Sequence, residues 1–133
     1  WYANDYIYFT ATTGGKNKLG QIWRYKHIGQ KGVDGQIELF FESNDADVLK
    51  LPDNITVAPW GDLIISEDGK GHDRIIGINQ NGQCYQIAKN IFNKSEFAGA
   101  SFSPDGRILF VNIYKPTMTM AITGPWEKVN QST

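Results

Sequence analysis

Glu67 and Glu96 are the residues of this chain whose settings most suggest chemistry. Glu67 ends the apolar run Leu63-Ile64-Ile65-Ser66 and leads into Asp68-Gly69; Glu96, after Ser95, stands just ahead of Phe97-Ala98-Gly99. Asp53 and Asn54 precede a third apolar stretch, Ile55–Ala58. Convergent oxygen donors of this kind suit hard cations such as Ca²⁺ or Mg²⁺, and carboxylates also hold Fe³⁺ or Mn²⁺. A purely structural reading stands beside this one. Asp68-Gly69 is then a turn, Glu67 a solvated strand end and Glu96 a backbone cap.

Other candidates carry less. His72, in Gly69-Lys70-Gly71-His72-Asp73-Arg74, is a ligand or acid if it faces the same end, and otherwise a solvated loop histidine. The single cysteine, Cys84, excludes an intrachain disulfide and a cysteine-cluster zinc site; it reads as a buried or edge thiol. Gly14-Gly15-Lys16 lacks the full phosphate-loop pattern, and no helix follows it. Asp105-Gly106 reads as a structural turn, and Trp23, Tyr25, Phe40 and Phe41 as packing aromatics. No Gly-x-Ser-x-Gly, His-Glu-x-x-His or triad signature is present, so no catalytic residue is assigned.

An internal repeat supplies the elements that position the acids. Ile55 to Glu67 and Ala100 to Asn112 align at an offset of 45 residues, with Pro59 on Pro104, Gly61 on Gly106 and Glu67 on Asn112. Asp5 to Thr10 resembles the second half of the same unit. A period near 45 with Pro-x-Gly turns is expected of β-propeller blades. The middle unit reads as four antiparallel strands, Asn54–Ala58, Asp62–Glu67, Arg74–Asn79 and Gln83–Ala88, the last two joined by a type I′ turn at Asn81-Gly82. The first unit offers Tyr6–Thr12, Gln21–Lys26 and Gln36–Glu42 and lacks its innermost strand; the last offers Ala98–Ser103, Arg107–Ile113 and Met118–Ile122. The expected fold is all-β, about two and a half four-stranded blades over 1–43, 51–90 and 95–126, followed by a polar, frayed tail over 127–133. In that arrangement Asp53, Asn54, Ser95 and Glu96 enter innermost strands. Glu67, Asp68, Asn112 and the loop Thr12 to Lys16 leave second strands on the same rim.

Bulk properties exclude several classes. Thirteen Lys+Arg against 14 Asp+Glu give a net charge of −1, without a basic stripe, so nucleic acid and anionic membrane are not expected partners. No apolar run approaches the roughly 18 residues that span a bilayer. The chain opens at Trp1-Tyr2 without a visible export signal and reads as a piece of a longer protein. A propeller needs at least four blades to close. Open edges and uncovered faces are therefore expected to make the isolated chain self-associate.

Pro52 to Gly69, then Ser95 to Ile113, then Ala121 to Trp126 together resemble the C-terminal part of the PhoX-type alkaline phosphatases, a bacterial family; Thr10 to Tyr25 resembles the family's preceding blade. The resemblance implies a six-bladed propeller exported to the periplasm or beyond. It also implies phosphomonoester hydrolysis on Ca²⁺ and Fe³⁺ ions clustered at the channel mouth. It carries Glu67 and Glu96 over as metal ligands, with Asp68 and Asn54 beside them. The chain departs from the family in two places. The remainder of the propeller is absent, including the cysteine that the family uses for iron, Cys84 not sitting in a matching context; and Tyr114-Lys115-Pro116-Thr117 stands where relatives often have glycine or glutamine. Three functions stay open: part of a secreted metal-dependent phosphatase, inactive by itself; a non-catalytic propeller for binding or scaffolding; and a calcium-dependent propeller hydrolase of another class.

Overall fold

The computed structural model describes residues 1–29, 34–126 and 128. Of the expected tail, 127 and 129–133 lie outside the described residues. The chain is all-β. β1 (Tyr2–Ala3), β2 (Tyr6–Ala11), β3 (Gln21–His27) and β4 (Gly35–Glu42) form the first antiparallel sheet. The second sheet contains β5 (Pro52–Val57), β6 (Leu63–Glu67), β7 (Arg74–Ile78) and β8 (Cys84–Lys89), and the third β9 (Phe97–Phe102), β10 (Ile108–Ile113) and β11 (Met118–Thr123).

Two sequence expectations need correction. The first unit does have a fourth strand, at the edge of its sheet. β1 pairs with β2 through Tyr2↔Ile7 and Ala3↔Tyr6, and Asn4 and Asp5 between them both have positive φ, at 52° and 63°. That is the turn expected at Asn81-Gly82. There, only Gly82 is left-handed, at φ 78°. Its N–H donates to the Asn79 carbonyl at 2.9 Å, and the Asn79 Oδ1 accepts from the N–H groups of Asn81 and Gln83 at 3.0 and 2.9 Å. The buried Asn79 side chain replaces the second left-handed residue by capping the loop from inside.

β6 is buried along its whole length, because the second sheet is covered on both faces. Side chains alternate across a strand, so Leu63 and Ile65 join Tyr8, Ile22, Leu49, Ile76 and Ile78 against the first sheet. Ile64 and Ile75 join Phe97, Leu109, Val111 and Ile113 against the third. A continuous apolar run is what a doubly covered strand requires.

The repeat also fixes the turns. Ala58 to Gly61 and Ser103 to Gly106 each close with a bond from the glycine N–H to the first carbonyl, 2.9 and 2.8 Å. Gly61 and Gly106 have φ of 97° and 71°, which favours residues without a β-carbon. Beside these turns Trp60 stacks on Trp126 with ring centroids 5.6 Å apart, and Phe102 meets both edge-on. Of the aromatics expected in the packing, Phe40 and Phe41 lie against the first core cluster. Trp23 and Tyr25 instead share cross-strand rows with Phe9, Leu39, Ile7 and Ile37 on the sheet's other face.

Candidate functional site

At the end of the sheets opposite those proline-glycine turns, four segments meet: the entries to β5 and β9, the exit of β6 and the turn from β10 to β11. The entry to β5 is bent. Leu51 has φ 45°, a left-handed conformation costly for a side-chain-bearing residue. It is pinned by its own N–H to the Leu19 carbonyl at 2.7 Å, while the Asp68 N–H reaches its carbonyl at 3.0 Å. The pairing with β6 shifts register between Pro52 and Asn54, so Asp53 falls in a bulge that re-aims its side chain.

A pocket of about 430 Å³ opens here, lined by Asp68, Asn93, Lys94, Ser95, Glu96, Tyr114 and Lys115. Two of the expected site residues, Glu96 and Asp68, therefore face one cavity. Burial raises the Glu96 carboxyl above its ordinary value, and repulsion from Asp68, Asp53 and Asp73 adds to this. Those three acids thus lie near enough to Glu96 to oppose its ionisation. Asp73 is almost fully buried. Its Oδ1 accepts from the Gly69 N–H at 3.0 Å and lies 3.2 Å from the Lys50 ammonium. Its Oδ2 is a buried acceptor without a hydrogen-bond partner. A buried carboxylate oxygen without a donor is chemistry suited to a hard cation.

Asn54 and Glu67 occupy other positions. The Asn54 amide donates to Asp53 Oδ2, and its Oδ1 accepts from the Gly99 N–H at 3.1 Å. Gly99 is the repeat equivalent of Asn54, so this bond joins like positions of two sheets. The sequence places Glu67 on the rim beside Glu96; in the structure its carboxylate is fully buried against Arg74. Oε1 accepts from the Lys50 N–H at 2.9 Å and from Arg74 Nη2 at 2.6 Å. Oε2 accepts from Arg74 Nε at 2.9 Å and from the Arg74 N–H at 3.1 Å. The guanidinium also donates to the carbonyls of Ala46 and Asp47. Four donors occupy this carboxylate, and the arrangement ties the loop before β5 to the hairpin of β6 and β7.

His72 is exposed, with its Nδ1 at 2.6 and 3.1 Å from the carbonyls of Asn90 and Asn93. Cys84 stands on β8, half-buried, and burial pushes its thiol up to about 11, away from the thiolate that binds metal. Asn112 accepts from Thr119 Oγ1 at 2.7 Å. At Gly14 a β-carbon would stand 2.6 Å from Gln21 Oε1, the movable end of a side chain, and 3.1 Å from the Ala11 carbonyl. Asp105 belongs to the far turn, where its Oδ1 accepts from Ser103 Oγ and the Arg107 N–H. A larger concavity, about 600 Å³, lies at that far end between the turn and Trp126. Its only carboxylate among the lining residues is Asp105, so it lacks the convergent acids of the rim. Among the described residues, no three acid, histidine or cysteine side chains are grouped so as to enclose an ion by themselves.

Sequence reasoning does not find Asp73, Asn93 and Lys94. The position of Asp73 carries a signal all the same: an acid next to Arg74, at the mouth of a hairpin whose other side carries Glu67 and Asp68.

Fold and site together define an all-β protein of antiparallel sheets with a charged, carboxylate-bearing pocket where its repeated units enter and leave their strands. The chain belongs to the family described as alkaline phosphatase PhoX, whose profile matches residues 1–117 of the 133. The matched region includes every pocket residue. No curated protein and no solved structure matches the chain. Among the described residues, no helix is long and apolar enough to cross a membrane.

Proposed function

We propose that this chain supplies one sector of the active site of a secreted, metal-dependent phosphomonoesterase, its sheets being blades of a propeller with six blades, as the resemblance implies. The observation that carries this is the pocket inside the matched region, with the carboxylates of Glu96 and Asp68 on its lining. Calcium suits the carboxylate donors here. Cys84, on β8 with its thiol pushed up, is not placed to meet the iron that the resemblance implies. A bound cation supplies electrostatic stabilisation for charge developing on phosphoryl oxygens.

The chain's own residues do the rest. Glu96 and Asp68 hold the cation, with Asp73 Oδ2 and Asp53 adding negative field. Asn54 orients Asp53 and links the second sheet to the third. Glu67 holds Arg74 and keeps the rim loops in place rather than offering a free oxygen. With fewer than three grouped ligands, the chain by itself binds calcium weakly and turns over no ester. The complete enzyme is expected to contain calcium and to hydrolyse p-nitrophenyl phosphate until a chelator is added. Metal-free enzyme, or turnover indifferent to chelation, would sink this reading.

A further inference from the structure

The turn between β10 and β11 leans over the pocket. Ile113↔Met118 is the last pair of the hairpin, leaving Tyr114 to Thr117 as the loop. Three hydrogen bonds fasten it to the segment before β9. The Tyr114 N–H donates to the Glu96 carbonyl at 3.1 Å and the Lys115 N–H to Ser95 Oγ at 2.8 Å, while Asn93 Nδ2 donates to the Lys115 carbonyl at 2.8 Å. Thr117 has φ 70°, a rare conformation for a β-branched residue, and its hydroxyl reaches the Tyr114 carbonyl at 3.3 Å. Strain of this kind persists where the surroundings over-determine it, often at ligand clamps.

This fastening puts Tyr114 and Lys115 on the lining of the pocket that also holds Asp68 and Glu96. Tyr114 is 59% exposed, and the Lys115 ammonium lies 5.7 Å from its ring centroid. Lys94 lines the same pocket. Among the described residues, no carboxylate lies within ion-pairing distance of either lysine. The pocket lining thus carries two carboxylates and two lysines without an ion-pair partner, beside an exposed aromatic face. Lysine binds phosphate as a point charge, and an exposed tyrosine ring offers a flat apolar surface for stacking. A cavity of about 430 Å³ has room for a small ester rather than a polymer.

We propose that Tyr114 and Lys115 form a specificity wall that favours phosphomonoesters of planar aromatic alcohols, Lys115 and Lys94 meeting the phosphate oxygens and Tyr114 stacking on the leaving group. The proposal rests on the phosphatase reading for its substrate class, and its test needs no turnover. Amide chemical shifts of the 133-residue chain are followed in calcium while phenyl phosphate, glycerol 3-phosphate or inorganic phosphate is added. Phenyl phosphate is expected to perturb Ser95, Glu96 and Lys115 and to bind about tenfold more tightly than glycerol 3-phosphate, the size of one aromatic stacking contact. Tyr114→Ala should erase that preference and Tyr114→Phe retain it. Lys115→Ala should weaken all three ligands by about tenfold, as loss of one charge-assisted contact does. No perturbation at this pocket, or a preference that survives Tyr114→Ala, overturns the wall. Selective binding in the chain combined with a complete enzyme that hydrolyses neither ester would sink the phosphatase reading and leave the wall standing.

Discussion

Glu67 and Glu96 look alike in sequence, each flanking an apolar run, and the structure gives them opposite electrostatic surroundings. Glu67 meets a guanidinium and two backbone N–H groups, whereas Glu96 is held up by partial burial and by the field of nearby acids. Opposite effects of the same substitution follow. Glu67→Gln leaves Arg74 buried without its counter-charge and should cost about 3 kcal/mol, the lower end for breaking a buried ion pair. Glu96→Gln removes a repelled charge. The folded Glu96 titrates above its ordinary 4.5, so its ionisation opposes folding. In chelator, the two proteins should be equally stable at a pH below 4.5, where Glu96 is protonated folded or unfolded. The glutamine variant should become the more stable as pH rises through the raised value. Thermal melts at acid and neutral pH, paired with calcium titrations, check both. Glu67→Gln is expected to keep its calcium affinity in whatever fraction stays folded, and Glu96→Gln to lose it. A Glu67→Gln protein that is fully stable but blind to calcium would return Glu67 to the ligands. The sequence does hold the clue to this difference. Ser66 pairs with Ile75, so the next residues outward, Glu67 and Arg74, face each other across the hairpin mouth. A carboxylate opposite an arginine at that register is paired before any cation arrives.

At the scale of elements, the repeat makes most strands legible, because apolar runs bounded by Pro-x-Gly turns leave little freedom of register. β1 escapes the pattern for a physical reason: two residues cannot display alternation, and its pairing rests on the Asn4-Asp5 turn. The hairpin at Asn79 to Gly82 is legible but its turn type is not, since a buried asparagine cap is invisible without knowing what is buried. Glycine positions separate backbone strain from packing. Gly82 has φ 78° and open space where a β-carbon would stand, whereas a β-carbon on Gly106, at φ 71°, would lie 2.8 Å from Pro59 Cγ. Gly82→Ala should therefore cost only the left-handed penalty, about 1–2 kcal/mol. Gly106→Ala should cost about 1 kcal/mol more, because it also drives the third sheet's turn into the second sheet's. Denaturant unfolding of the two variants measures the difference. Equal costs would mean that the two turns do not press on each other.

For the whole molecule, the contrast between covered and uncovered sheets is the deciding feature. The second sheet has both faces buried, whereas the first has a partner on only one. Its other face presents Ile7, Tyr25 and Ile37 in one cross-strand row and Phe9, Trp23 and Leu39 in the next. Ile37 is 58% and Ile7 47% exposed, high values for adjacent large apolar side chains. A contiguous patch of this kind gains free energy from any matching surface. No charged residue lies within those two rows to oppose it. In the proposed propeller another blade would cover this face; for the chain on its own, a second copy is the available cover. The 133-residue chain should therefore sediment as a concentration-dependent mixture of monomer and larger species. Ile37→Lys with Leu39→Lys puts two charges into the patch without touching the core clusters, both of which lie on the opposite side of the sheet. That double variant should sediment as a monomer at every concentration while melting within a few degrees of the parent chain. A wild-type chain that stays monomeric with a sharp melting transition would show that the uncovered face is tolerated in water.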